Sequence, residues 1–177
     1  MLNKKFQKAF TMVEVLIAIF VVAIGVVGSY IILQQIFVNT FISSSRLTAA
    51  YLAKEGFEIV RNVRDSNWVA RNDWNRGLVE NNPPGFDGCD PAGITNRFCE
   101  ADYADTTLTP ISTGDDPNLL KLNGMYGYGA GANTKFFRKI EIEELAPDSL
   151  RVTITISWNG QGSSHSLIVE GFLYDWR

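Results

Sequence analysis

The most constraining feature of the sequence is a long apolar segment near its start. Residues 12–33 contain a single charged side chain, that of Glu14. At about 1.5 Å per residue, a helix of this length spans about 30 Å, the thickness of a bilayer's hydrocarbon core. Residues 1–8 carry three lysines and no acid. The positive-inside rule therefore places the N-terminus in the cytoplasm and the chain after the apolar segment across the membrane.

The rest of the sequence is sufficient for one folded domain. The chain has 177 residues and a formal net charge of -3, which gives no general attraction to a phosphate backbone. Its mean hydropathy is close to zero only because the apolar segment offsets a middle region rich in Asn, Asp, Gly and Pro. We expect a membrane-anchored protein with an extracytoplasmic domain and no direct binding of nucleic acid.

An ordinary secretory signal peptide is an alternative interpretation of the N-terminus. A basic region and an apolar region are both present, and residues 26–28 provide a small-residue cleavage site. However, the apolar segment is longer than the usual ~7–15 residues. Burial of Glu14 in hydrocarbon also costs about 2.5–3.5 kcal/mol on insertion scales. A sequence that keeps this carboxylate is expected to use it.

Residues 8–18, Lys-Ala-Phe-Thr-Met-Val-Glu-Val-Leu-Ile-Ala, resemble the type III signal of type IV pilins and type II secretion pseudopilins. The resemblance implies cleavage between Ala9 and Phe10, N-methylation of Phe10, and pairing of Glu14 with the terminal amine of a neighbouring subunit. Ala9 departs from the family, which usually has glycine at the last leader position. Residues 24–28, Ile-Gly-Val-Val-Gly, resemble PilV-type minor pilins.

The resemblance also implies partners and a location. The partners are a prepilin peptidase and N-methyltransferase, other pilin subunits, an inner-membrane assembly platform and membrane lipid. The chain is expected to be a single-pass membrane protein before assembly, and then part of a pilus or pseudopilus at the cell surface. A buried amine and a buried carboxylate are each costly alone, so their pairing gives register between subunits.

Helical periodicity continues beyond the apolar segment. Apolar residues recur at steps of three and four as far as Val63, and the first proline after the leader is Pro83. We predict one helix over residues 10–64, apolar on all sides at first and amphipathic later. The alternating charges of residues 61–68 favour a solvated helix end.

The predicted divisions of the chain follow from this pattern. Residues 1–9 form the leader, 10–33 the membrane or filament-core half of the helix, and 34–68 its amphipathic half. Residues 69–133 are predicted to be irregular, and residues 134–177 to form a sheet. Gly25 and Gly28 lie within the apolar half. They are either a helix–helix contact of small residues or a hinge.

The irregular region contains the two cysteines and many acidic residues. Cys89 and Cys99 are separated by nine residues, a spacing that permits a disulfide loop outside the cytoplasm. The acidic residues are interpreted as solvated turn residues, because no spacing fits the calcium loop of an EF-hand. They are Asp87, Asp90, Asp102, Asp105, Asp115 and Asp116.

The C-terminal region alternates between apolar and polar residues. Residues 150–158 have an apolar side chain at every second position, which predicts a half-buried strand. Flanking strands on both sides, with short links, predict an antiparallel meander covered by the second half of the long helix. The predicted fold class is therefore α+β, a long N-terminal helix packed on a C-terminal sheet, as in pilins.

The sequence is compatible with three functions. The first is a structural filament subunit, with no catalytic residues, cofactor or metal. The second is a membrane-tethered binding or adhesion module whose helix is only an anchor. Its aromatic residues would contact a ligand: Trp74, Phe86, Phe98, Tyr103, Tyr126 and Tyr128. The third is a secreted enzyme, but His165 lacks a catalytic setting and is interpreted as a solvated turn residue. Glu14 favours the first, since an isolated anchor does not need it.

Overall fold

The computed structural model describes residues 11–79, 88–89, 98–111, 118–160 and 162–176. Within these ranges it contains one helix, α1 (Met12–Ala70), and a seven-stranded sheet. The strands are β1 (Phe98–Glu100), β2 (Thr109–Pro110), β3 (Asn118–Leu122), β4 (Met125–Gly127), β5 (Ala132–Ala146), β6 (Ser149–Gly160) and β7 (Ser163–Tyr174). The predicted α+β fold class is confirmed. The chain divides into two compact units, Met1–Ser44 and Ser45–Arg177.

α1 ends at Ala70, later than the predicted end at Arg64. The alternating charges of residues 61–68 favour a solvated end, but Arg64, Asn67 and Trp68 are buried. The Asn67 amide donates hydrogen bonds to two main-chain carbonyls in the segment after the helix, those of Trp74 (3.2 Å) and Arg76 (2.8 Å). The polar residues of this stretch therefore hold the following segment against the helix.

A Schellman motif terminates the helix. Arg71 adopts a left-handed φ of 59°. Its N–H donates to the Trp68 carbonyl (3.2 Å), and the Asn72 N–H donates to the Asn67 carbonyl (2.9 Å). Both bonds satisfy carbonyls that have no partner further along the helix. Glycine is the usual residue at the left-handed position, so arginine there conceals the helix end in the sequence.

The three long strands form the predicted antiparallel meander. β6 pairs with β5 on one side and with β7 on the other, with antiparallel register along each. The predicted alternation is confirmed, because one face of the central strand β6 is buried throughout. This face consists of Leu150, Val152, Ile154, Ile156 and Trp158.

The segment predicted to be irregular contributes four short strands. β1 and β3 pair with different parts of the same edge of β5, while β2 and β4 pair with β1 and β3 respectively. These strands are too short to show a period of two, and their pairing depends on β5, which follows them in the chain. The prediction of an irregular segment is therefore wrong for these residues.

The helical part of the second unit covers the buried face of the sheet. Its buried residues begin at Ser45 and recur at steps of three and four, including Leu52, Val60 and Val63. They join the buried residues of β5 and β6 in one core. At about 25 cal/mol per Å² of apolar surface, this burial is the main stabilisation of the unit.

The two cysteines form a disulfide. The Cα atoms of Cys89 and Cys99 are 5.7 Å apart, and both residues are fully buried. Cys99 belongs to β1, while the Cys89 N–H donates to the Leu78 carbonyl (3.1 Å). The bond therefore connects the segment after the helix to β1, which lies between β2 and β5 in the sheet. In the chain-entropy model, a loop of this size contributes about 2–3 kcal/mol.

We expect Gly131→Ala to destabilise the protein more than Gly129→Ala does. Gly131 has a φ of 144°, and a Cβ there would lie 2.7 Å from the Lys121 carbonyl oxygen, which belongs to a paired strand. A Cβ at Gly129 would meet nothing within 4 Å. Strain of this kind costs about 1–3 kcal/mol. Urea unfolding followed by tryptophan fluorescence measures the difference, and equal stability of the two variants would contradict this turn geometry.

Candidate assembly site

The first turn of α1 contains Glu14, the carboxylate that the sequence analysis selects. The Glu14 N–H donates to the Thr11 hydroxyl oxygen (3.3 Å), and the Val15 N–H donates to the Thr11 carbonyl (3.2 Å). Thr11 is therefore the N-cap and Glu14 the third helical residue, the spacing of a capping box. An acid in the first turn also interacts favourably with the helix dipole.

This capping role was not predicted from the sequence, although a Thr-x-x-Glu pattern before an apolar segment indicates it. The predicted cleavage and methylation positions, Ala9 and Phe10, lie outside the described residues, and their roles stay predictions. So does the pairing of Glu14 with a neighbouring amine.

The proposed hinge residues lie within a continuous helix. A Cβ at Gly25 or Gly28 would meet nothing within 4 Å, and the Ser29 hydroxyl donates to the Gly25 carbonyl (2.8 Å). Packing against the described residues therefore requires neither glycine. A hinge and a helix–helix contact both stay predictions.

Apolar side chains are exposed along much of α1. Residues 12–33 are exposed throughout, and the helix is long and apolar enough to cross a membrane by length and composition. Ile36 and Phe37 of the first unit are also exposed. In the second unit, Leu47 is 59% and Tyr51 66% exposed. About 20 residues span the hydrocarbon core, so a membrane segment that begins at residue 12 ends before Leu47 and Tyr51 in the sequence.

The family model described as the prokaryotic N-terminal methylation motif matches residues 4–30. The chain carries a prepilin-type N-terminal motif. The motif confirms the resemblance to type IV pilins and pseudopilins and indicates a structural protein. It implies processing by a prepilin peptidase and assembly with other pilins, and with the apolar helix it fits a membrane-anchored pilin that later enters a surface filament. Comparison with curated proteins and with solved structures finds no match.

The head of this pilin-like chain, the unit Ser45–Arg177, contains a buried cation. The Arg138 side chain, on β5, is fully buried. Its Nη2 donates to the Ala101 carbonyl (2.8 Å), and its Nη1 lies 3.9 Å from Glu55 Oε1 on α1. Its Nε and Nη1 have no hydrogen-bond partner among the described residues. A buried charge is costly without a counter-ion, so Glu55 offsets part of that cost.

Arg138 was also missed by the sequence analysis. It is in phase with Ile140 and Ile142 on the buried face of β5, so the alternation of this strand indicates its burial. The residue type argues against that placement, because arginine is almost never fully buried unless it is paired.

Asp102 connects the turn after β1 to the end of β4. Its Oδ2 accepts a hydrogen bond from the Tyr128 N–H (3.2 Å), and its own N–H donates to Asp105 Oδ2 (2.6 Å). A Cβ at Gly127 would lie 2.5 Å from Asp102 Oδ2, so only glycine fits there. The two aspartates are hydrogen-bonded turn residues rather than merely solvated ones. Among the described residues, no group of three His, Cys, Asp or Glu side chains is placed to hold a metal ion.

The surroundings of two carboxyl groups in this region, those of Glu55 and Glu100, raise their pKa values. Burial raises the pKa of Glu55, an effect that Arg138 opposes. Burial also raises the pKa of Glu100, and the nearby carboxylates of Asp105 and Asp102 add to the increase. Both groups are therefore less stable as anions in the folded head than in the unfolded chain.

The aromatic residues considered as a ligand surface do not converge. Tyr103 and Tyr126 line one cleft of about 320 Å³, whereas Trp74 is buried beside a different one. Tyr128 is largely buried, its hydroxyl donating to the Arg138 carbonyl (3.1 Å), and Phe86 lies outside the described residues. His165 is part of β7 and stacks on Trp158, with ring centroids 5.5 Å apart, so its interpretation as a solvated turn residue is wrong.

We expect Glu100→Gln to raise the melting temperature at pH 7, because it removes a carboxylate that the fold must accommodate as an anion. A carboxyl group whose pKa is raised on folding lowers stability above that raised pKa and has no such effect below its unfolded value. The gain should therefore disappear as the pH falls below about 4.3. Circular dichroism melts of the full chain in detergent at pH 7, 5.5 and 4 measure it.

Glu170→Gln is the matched control, since Glu170 is exposed on β7. An equal gain in the control, or a gain from Glu100→Gln that grows towards low pH, would contradict the assigned shift.

Proposed function

We propose that the chain is a minor subunit of a type IV pilus-like filament, inserted in the membrane as a prepilin. A prepilin peptidase cleaves between Ala9 and Phe10 and methylates the new amine of Phe10. The lysines of residues 1–8 keep the leader in the cytoplasm, and the head is extracytoplasmic. The Cys89–Cys99 disulfide supports this topology, because such bonds persist in oxidising compartments.

The observation that carries the proposal is that α1 has exposed apolar side chains after its membrane segment. Leu47 and Tyr51 are exposed although the same helix buries Leu52 and Ala53 against the sheet. Full burial of a large apolar side chain contributes about 1.5–3 kcal/mol. Helices of neighbouring subunits would cover this surface in a filament, whereas a simple anchor would leave it in water.

Glu14 is proposed to set the register between subunits. After cleavage, the amine of Phe10 and the carboxylate of Glu14 both lie in an apolar environment, where each needs an opposite charge. The Glu14 of an incoming subunit pairs with the amine of a subunit already in the filament. The PilV-like residues 24–28 and the large head support a minor rather than a major subunit.

A second candidate is a membrane-tethered extracytoplasmic binding or adhesion module whose helix is only an anchor. The cleft between Tyr103 and Tyr126 favours a ligand-binding role for the head. The two candidates differ in what they require of α1, since only a filament subunit needs Glu14 and the exposed residues after the membrane segment.

We expect Glu14→Gln to insert in the membrane and to be processed, but not to enter filaments. Glutamine suits the third position of a capping box, so the helix start is preserved while the charge is lost. Glu14→Ala should also fail to assemble, and Thr11→Ala, which removes the cap and keeps the carboxylate, should assemble. Immunoblots of sheared filaments and of membranes measure this, with mass spectrometry to identify a methylated Phe10.

Normal incorporation of Glu14→Gln would refute the pairing role. An N-terminus near Ser29 in the membrane-associated or secreted protein would refute prepilin processing itself.

We expect the double substitution Leu47→Lys and Tyr51→Lys to leave insertion and processing intact and to reduce incorporation at least tenfold. Lysines at a packed helix surface would be buried without counter-ions. Tyr103→Lys, which changes an exposed aromatic residue of the head, is the control. The same filament assay applies, and a doubly substituted protein that assembles normally would favour the simple anchor.

A further inference from the structure

An open cleft of about 320 Å³ lies at the C-terminal end of α1. Trp68 and Trp74 form its apolar part, and Asp175 accepts a hydrogen bond from the Trp68 indole N–H (3.3 Å). The Schellman turn at Arg71 holds the segment after the helix beside these rings. The cleft is therefore built on the helix, the turn and the residues after β7.

Three polar side chains of this cleft are available to a ligand. Arg71, Asn72 and Asp73 are exposed, and within the described ranges their side chains form no hydrogen bond or ion pair. They are consecutive in the chain and line the same cleft. Together they offer a guanidinium donor, an amide that both donates and accepts, and a carboxylate acceptor.

An exposed indole adjoins the cleft. Trp176 packs edge-to-face on Trp68, with ring centroids 4.2 Å apart, yet it remains 68% exposed. Its partner Trp68 already carries the Arg64 guanidinium over its ring, 4.4 Å from the centroid. Trp176 is thus the ring that offers a large apolar surface to a molecule arriving from solvent. Such amphipathic aromatic residues are typical of binding surfaces.

The charged side chains that line the cleft favour some classes of ligand over others. Among the residues that line the cleft, a phosphate polymer would meet the two carboxylates of Asp73 and Asp175 and the guanidinium of Arg71, an unfavourable balance of charge. A purely cationic ligand would meet Arg71. Sugar hydroxyls both donate and accept, and planar carboxylate, amide and guanidinium groups suit vicinal hydroxyl pairs. A pyranose ring also presents a C–H face that stacks on an indole.

We propose that this cleft, together with Trp176, binds a neutral sugar unit of a glycan. Trp176 stacks on one face of the ring, while Arg71, Asn72 and Asp73 bind its hydroxyls. The site belongs to the head and does not depend on filament assembly. Its failure would therefore leave the assembly role untouched.

The test is a tryptophan-fluorescence titration of the full chain with maltotriose, chitotriose, mannotriose and galactobiose. The protein is kept in a polyoxyethylene detergent, because maltoside headgroups would compete. At least one of the four probes should bind. Trp176→Ala and Asp73→Asn should each weaken that binding at least tenfold, and Tyr103→Ala, in the other cleft, should leave it unchanged.

Asp73→Asn keeps the test valid if loss of the Trp176–Trp68 contact disturbs folding, because the Asp73 side chain forms no hydrogen bond or ion pair with any described residue. Three results would overturn the proposal. They are no binding of any probe by the unsubstituted protein, unchanged binding in the Asp73→Asn variant, and binding of inorganic polyphosphate in place of the sugars.

Discussion

The head depends on the contact between α1 and the sheet at Gly56. A Cβ there would lie 3.1 Å from Arg138 Cδ and 3.4 Å from Ile154 Cγ2, so side chains of the sheet reach the helix backbone. Ala49 and Ala53 lie on the same side of the helix and are fully buried. Small residues at steps of three and four thus leave space for the sheet's larger side chains, and this packing removes Arg138 from solvent.

Burial of Arg138 also explains how the shorter strands are held. Because its guanidinium has no access to water, it requires protein oxygens, and the Ala101 carbonyl just after β1 is one of them. Ala101 precedes Asp102, whose carboxylate binds the main chain at Tyr128. Polar contacts therefore link the end of β1 to Arg138 on β5 and to the end of β4, in addition to the pairing of β1 with β5. A half-satisfied buried cation is a strong constraint on its neighbours, since moving them away leaves it unpaired.

The parts of the fold that could be predicted are those whose information is local. β5, β6 and β7 each show their own period of two, and α1 shows an apolar segment followed by steps of three and four. The end of α1 could not be predicted, because Arg71 occupies a position where glycine is usual. The short strands could not be predicted either, because their pairing depends on β5, which follows them in the chain. In the candidate site, Glu14 could be selected from the sequence because it is the single charge in an apolar segment. The disulfide could be predicted from the spacing of the two cysteines. Arg138 was concealed by a residue type that is seldom buried.

The capping geometry at the start of α1 gives the Glu14 carboxylate a favourable place in a single subunit, separately from its proposed role in the filament. In a single subunit, Glu14 lies in the first turn of α1, where unpaired N–H groups and the helix dipole favour a negative charge. In the proposed filament, the amine of a neighbouring subunit provides a full positive charge instead. The helix start thus places the Glu14 carboxylate beside the positive end of the helix dipole before any partner arrives. That local interaction contributes only about 0.3–1 kcal/mol, so it does not replace the pairing that we propose for the filament.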